Sequence, residues 1–204
     1  MKKITLTILF LGLINLMSAQ EKGKFRTGLD LGFAAGSGQS AGFIFAVEPK
    51  YNIKDNLNVG LRIEVGGIVK DVHYLSGNDD EYDSKIQANY NFMAVSDYYF
   101  HKSGGGSFAP FVGAGVGLNS VANVFYSSYE NENDIDAENI KIQAVFGGMI
   151  RGGFEWGKFR MTAQYNIIPK TNLQDTSGFI IGKAKNNYFG LSLGFYLGGG
   201  KWHR

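Results

Sequence analysis

The 204-residue chain contains no cysteine. That excludes a disulfide framework, a thiolate metal site and a lipid anchor on an amino-terminal cysteine. Proline occupies only three positions, and histidine also occurs three times, at His73, His101 and His203. In the topology read below these histidines fall in an outer loop, an opposite-rim turn and the tail, so they cannot converge with a serine and an aspartate on one catalytic site. An excess of charge of one sign is missing too. There are 20 basic and 18 acidic residues, and without Lys2 and Lys3 the remainder is formally neutral, naming no nucleic acid or other charged partner. Long apolar runs are scarce: Ile4 to Met17 covers 14 residues, short of the roughly 20 that a helical span needs, and nothing after Gln20 offers a second candidate.

That single run follows Lys2 and Lys3 and is closed by Ser18 and Ala19, the layout of a secretory signal peptide over residues 1–19. One domain, residues 20–204, is left. What this domain has in abundance is glycine, 29 residues in all, and aromatics at 14%; average glycine usage is about 7%. Much glycine, many rings and little proline favour tightly packed β structure.

Alternation of apolar and polar residues, the period of a strand, recurs eight times. It runs over Phe25 to Ala34, Ala41 to Tyr51, Leu57 to Val65, Lys85 to Phe100, Phe108 to Val121, Asn139 to Trp156, Phe159 to Ile167 and Tyr188 to Leu197. The third is the cleanest, with Leu57, Val59, Leu61, Ile63 and Val65 against Asn58, Gly60, Arg62, Glu64 and Gly66. Met93 and Val95 blur the polar face of the fourth. Connections after the second, fourth and sixth are short: Asn52 to Asn56, His101 to Ser107, and a tight turn around Gly157. Those after the third, fifth and seventh are long: Lys70 to Ser84, Ala122 to Glu138, and Lys170 to Asn187. Short turns on one rim and long loops on the other predict an all-β fold, an eight-stranded antiparallel up-and-down transmembrane barrel after a cleaved signal peptide.

A soluble barrel with an apolar core is the competing arrangement, because alternation alone does not say which face is outside. Three features favour the apolar face outward. The polar face is rich in Gly, Asn and Gln and sparing of charge, unlike a soluble surface. Strand ends nearest the short turns carry Phe25, Tyr51, Tyr98, Phe108, Phe154, Trp156, Phe159 and Phe195, which reads as a membrane-interface girdle. Charges on the polar face nearly cancel, with Arg26, Lys50, Arg62, Lys141, Arg151 and Arg160 against Asp30, Glu48, Glu64, Asp97 and Glu155, as an enclosed interior requires. The polar network expected in the lumen centres on Arg62, Glu64, Asp97, Arg151, Glu155 and Arg160.

The final strand, Tyr188–Phe189–Gly190–Leu191–Ser192–Leu193–Gly194–Phe195, and the glycine-alternating fifth strand resemble those of small outer-membrane barrels of the OmpA/OmpX type, the porin-family or outer-membrane β-barrel domain proteins. The resemblance covers nearly the whole chain after residue 19. It implies Sec-type export, residence in the outer membrane of a Gram-negative bacterium, contact with its lipid, and recognition of the last strand by the barrel assembly machinery, with Gly190, Leu193 and Phe195 at the matching places. Family members commonly stop at the terminal aromatic, whereas here Tyr196 to Arg204 continues as a Gly-rich basic tail. A monomer is expected.

Gly113, Gly115 and Gly117 look superficially like a nucleotide fingerprint, but they lie within a strand with no helix after them and read as lumen packing. Acidity in two outer loops is the other notable feature. Asp71, Asp79, Asp80, Glu81 and Asp83 occupy the loop after the third strand, and Glu130, Glu132, Asp134, Asp136 and Glu138 that after the fifth. These are ten of the 18 acids, accompanied by Lys70 alone, which leaves 17 bases against 8 acids in the rest of the domain. Asp79, Asp80, Glu81, Asp83, Glu130, Glu132, Asp134 and Asp136 are thus candidates for loose divalent-cation binding, set against a plain solvated loop. Neither run has the spacing of a calcium loop, so no specific metal site is read, and no cofactor.

The lumen charges allow a rigid plug or the lining of a narrow conduit. Eight strands leave room for little beyond side chains, while water-filled porins need about 16. The reading is therefore a non-enzymatic outer-membrane barrel with a filled lumen and acidic external loops, in a structural or surface-interaction role. A narrow pore for small solutes is the alternative, and an outer-membrane enzyme, for which no nucleophile and base can be named, is the third.

Overall fold

A computed structural model of the chain describes residues 21–36, 41–73, 82–100, 107–125, 141–174 and 180–199. Eight strands close into an antiparallel barrel: β1 (Phe25–Gly36), β2 (Ala41–Lys54), β3 (Leu57–His73), β4 (Tyr82–Tyr99), β5 (Phe108–Phe125), β6 (Lys141–Trp156), β7 (Phe159–Ile167) and β10 (Tyr188–Gly198). Two short strands, β8 (Thr171–Gln174) and β9 (Ile180–Ala184), form a separate hairpin between β7 and β10. Each wall strand pairs with its sequence neighbour, and β10 closes the ring on β1 from Gly36↔Tyr188 to Arg26↔Gly198.

The pairing fixes the dimensions. Circling from Gly32 through Ile44, Gly66, Asn89 and Val121 reaches β6 at Gln143. Circling the other way, through Ser192 and Thr162, reaches β6 at Gly153, an offset of ten residues. With eight strands spaced about 4.8 Å apart and rising about 3.3 Å per residue, that shear tilts the strands by roughly 40° and gives a backbone radius of about 8 Å. Such a cylinder holds one layer of inward side chains from each wall and little more.

The strands alternate as the sequence requires, with the apolar face outward. Leu29, Leu31 and Phe33 of β1, Leu61, Ile63 and Val65 of β3, and Phe189, Leu191 and Leu193 of β10 are all exposed. Between Phe108 and Leu118 the outward run of β5 projects about 25 Å along the axis at that tilt, the height of an apolar membrane band. Expected girdle residues Phe25, Tyr51, Tyr98, Phe108, Trp156, Phe159 and Phe195 are exposed on the short-turn side, and Phe100 joins them. Near the opposite rim stand Phe33, Phe43, Tyr90, Phe146, Tyr165 and Phe189, also exposed. The sequence reading had no second ring there.

Two expectations need correction. Asp71 and Asp83 were expected in a loop, but β3 and β4 stay paired through Asp71↔Ser84 and Val72↔Asp83 to His73↔Tyr82. The cause is a lopsided wall: β2 reaches only Val69 of β3 and β7 only Gly148 of β6, whereas β3 to β6 continue upward as four mutually hydrogen-bonded strands. Backbone groups above the apolar band are satisfied by that pairing, so polar side chains there do not end the strands. Second, the connection after β7 is not all loop, since β8 and β9 pair from Thr171↔Ala184 to Gln174↔Ile180. Met93 and Val95, the apolar residues on the polar face of β4, point inward and pack with Met149. No helix among the described residues is long and apolar enough to cross a membrane, which says nothing of a β-barrel.

Candidate functional site

The lumen is where the chemistry of this chain is concentrated. Among the described residues five bases, Arg26, Lys50, Arg62, Arg151 and Arg160, and five acids, Asp30, Glu48, Glu64, Asp97 and Glu155, are buried inside the barrel. Inward parity puts them there: Arg26 and Asp30 alternate along β1, Glu48 and Lys50 along β2, Arg62 and Glu64 along β3, and Arg151 and Glu155 along β6. Asp97 comes from β4 and Arg160 from β7. Equal numbers of opposite charge are what a space without bulk water demands.

Two carboxylates act as hubs. Glu48 accepts from Arg62 Nη1 at 2.7 Å, from Arg151 Nη1 and Nη2 at 2.6 and 2.9 Å, and from Arg160 Nη1 at 3.1 Å. It also ion-pairs with Lys50. Asp97 accepts from Arg151 Nε at 2.8 Å and Nη2 at 3.1 Å, accepts from Arg160 Nη2 at 3.2 Å, and ion-pairs with Lys50. Arg151 therefore grips both hubs with forked donors, an arrangement a lysine would not reproduce.

Smaller clusters extend this centre along the axis. Towards the short turns, Arg26 holds Glu155 in a two-point contact, 2.9 Å for each bond, while Tyr99 donates to Glu155 at 2.5 Å. The Arg26 guanidinium also lies 4.0 Å from the centre of the Tyr196 ring, a cation–π contact. Towards the long loops, Arg62 reaches Asp30 at 2.5 Å, Glu64 at 2.9 Å and Gln164 at 3.0 Å. Glu64 accepts in turn from Gln164, Asn91 and Tyr188. An apolar layer of Ala34, Ile44, Ile68, Tyr188 and Ile168 lies beyond. Ile168 belongs to the chain leaving β7, which is tied across the mouth: its N–H donates to Asn187 Oδ1 at 2.8 Å, and Asn186 Nδ2 donates to Pro169 O at 2.9 Å.

Glycine makes room for these side chains. A Cβ on Gly113 would sit 2.0 Å from Asp97 Oδ1, and one on Gly28 would sit 2.4 Å from the Tyr196 ring. The glycine-alternating face of β5 is thus the recess into which the Asp97 hub fits.

All six residues expected to form the polar network, Arg62, Glu64, Asp97, Arg151, Glu155 and Arg160, lie in the lumen. Arg62 contacts Glu64, Arg151 and Arg160 contact Asp97, and Glu155 is joined to Arg26 rather than to any of them. The sequence reading passed over Tyr99, Tyr188 and Tyr196, which face inward and supply hydroxyls to Glu155, Glu64 and Glu48. Parity was the available signal, since Tyr196 continues the inward series Gly190, Ser192, Gly194. Lys158, in the β6–β7 turn, bonds back to Gly198 O; partial burial, followed by the nearby Arg26 charge, holds its ammonium below the usual lysine range.

The candidate cation ligands Asp79, Asp80, Glu81, Glu130, Glu132, Asp134 and Asp136 lie outside the described residues, and Asp83 lies in β4. Among the described residues no group of three or more His, Asp or Glu is arranged to hold a metal ion.

An apolar exterior around a charged, closed interior defines an inside-out barrel, the architecture of a membrane-spanning β-barrel. No protein-family model and no curated protein matches the sequence. Among solved structures the chain is similar to the outer membrane protein OprG from Pseudomonas aeruginosa, at 15% identity and a TM-score of 0.54 over 88% of this chain and 98% of that one. It is also similar to neisserial surface protein A, at 14% identity and 0.48 over 86% and 97%, and to the amino-terminal β-barrel domain of Pseudomonas aeruginosa OprF, at 14% identity and 0.45 over 87% and 100%. At these identities the likeness to OprG speaks for the fold alone.

Proposed function

We propose that the chain is exported, loses residues 1–19, and resides in the bacterial outer membrane as a non-enzymatic barrel whose filled lumen makes it a scaffold for its outer loops rather than a conduit. The observation that carries this is the pairing of an exposed apolar exterior with hub side chains that leave no room for a water-sized sphere: Glu48, Lys50, Asp97 and Arg160 are each 0% exposed. Groups lining an aqueous path would be wetted from within. Glu48 is held by bases from β2, β3, β6 and β7, so the network staples opposite walls together. The fold shared with OprG, itself called an outer membrane protein, agrees with the location. Recognition of β10 by the assembly machinery belongs to the same proposal, because β10 is the strand that closes the ring.

Purified protein in planar bilayers tests the central point. Insertion without steady single-channel current is expected; large, sustained currents would replace the scaffold with the narrow-pore reading. Recovery of the protein as a soluble periplasmic species, without the shift in gel mobility that heating gives a folded barrel, would overturn the membrane location itself.

A further inference from the structure

The short-turn rim gathers lysines that are far apart in sequence. Asn52, fully buried, donates from Nδ2 to Glu21 O at 3.0 Å and to Gly199 O at 3.3 Å, so one side chain ties together both ends of the described chain. Around it the backbone is stitched by Gly23 N–H to Asn52 O at 2.8 Å, Asn52 N–H to Lys24 O at 3.0 Å and Glu21 N–H to Gly199 O at 2.7 Å. Lys22 N–H donates to Asp55 Oδ1 at 2.8 Å, laying residues 22–24 along the β2–β3 turn. Lys22, Lys24 and Lys54 are consequently brought to one corner, and all three are exposed. Directly beneath it, on the outward face, stand Phe25, Tyr51 and Ile53, also exposed.

Rings and aliphatic side chains at the top of an apolar band, with ammonium groups just above them, match the layering of acyl chain, glycerol and phosphate in a leaflet. We propose that this corner binds the headgroup phosphate of an anionic phospholipid in the leaflet on the short-turn side. Asp55 keeps its negative charge while accepting from the Lys22 amide, and together with Glu21 it leaves the three lysines of the corner one positive charge in excess. The excess positive charge beside the apolar band favours anionic phospholipid at the lysine corner. The proposal rests on the membrane reading above.

Bromine on acyl chains quenches tryptophan fluorescence at contact, and the chain has two tryptophans, Trp156 and Trp202. In a background of Trp156→Phe and Trp202→Phe, Tyr51→Trp places a single reporter beside the lysine corner. The full-length variant is reconstituted into vesicles of phosphatidylcholine mixed with phosphatidylglycerol, one lipid brominated at a time. Quenching should favour brominated phosphatidylglycerol, by up to about fivefold for one fully engaged lysine. The preference should vanish on adding Lys22→Gln, Lys24→Gln and Lys54→Gln. Equal quenching by the two lipids in the parent, or a preference that survives the triple change, would overturn the proposal. Quenching by neither lipid would sink the membrane reading instead. Inorganic phosphate and chloride at matched ionic strength should weaken the preference equally; a selective effect of phosphate would assign the corner to a free anion and overturn the lipid headgroup.

Discussion

Replacing Glu48 with Gln preserves the volume of the central hub and removes its charge. Four bases would then face a neutral amide: Lys50, Arg62, Arg151 and Arg160 all pair with Glu48. Lys50, Arg151 and Arg160 keep Asp97, and Arg62 keeps Asp30 and Glu64, so no base is stripped of every partner. The enclosed space nevertheless acquires one uncompensated positive charge that no water can reach. Breaking one side of a buried ion pair costs about 3–5 kcal/mol. At a slope of about 2 kcal/mol per M in urea, the unfolding midpoint should fall by roughly 2 M. Reversible unfolding from lipid vesicles, followed by the heat-dependent gel shift and by fluorescence, reads this directly. Adding Lys50→Met restores equal charge at similar length, and the double variant should recover a substantial part of the loss, a coupling of about 0.5–3 kcal/mol. A loss under about 0.5 kcal/mol for Glu48→Gln, or a double variant that falls by the sum of the two singles, would refute the claim that enclosed charge balance governs the lumen.

On the outer surface, Leu61→Ile should change stability by less than about 0.5 kcal/mol, whereas Leu61→Arg, in the apolar band, should cost about 2–4 kcal/mol in the same unfolding assay. Gly113→Ala should destabilise the barrel, because its Cβ would lie 2.0 Å from Asp97 Oδ1 and displace the second hub; unchanged unfolding would contradict the packing described. Asn52→Ala removes the side chain that holds Glu21 and Gly199, and amides at both chain ends should lose hydrogen-exchange protection while those of β4 and β5 keep it. For the acidic outer connections, exchange over residues 70–84 and 122–138 should respond alike to calcium and to monovalent salt of equal ionic strength; protection by calcium alone, abolished by Asp79→Asn with Asp134→Asn, would show a specific site instead.

The eight wall strands, their positions and the sorting of residues onto two faces were legible along the chain, because a period of two is a local property of covalent geometry. The run from Leu57 to Val65 and the series Gly190, Ser192, Gly194 separate their two faces without reference to any neighbour, while the outward direction of the apolar face needed the composition of the polar face and the aromatic strand ends as well. Near-cancelling charge on the polar face was legible for the same reason, since parity alone sorts Arg62 from Leu61. Partnership was not. Glu48 meets Arg151 and Arg160, 103 and 112 residues away, only because a shear of ten brings β2 opposite β6 and β7 at one level, and register is a property of the closed ring rather than of any strand. The same dependence hid the tall β3–β6 wall that takes up Asp71 and Asp83, and the corner where Asn52 draws Lys22, Lys24 and Lys54 together. Alternation is written residue by residue, while closure, shear and the meeting of charges across an enclosed space exist only once the eighth strand has returned to the first.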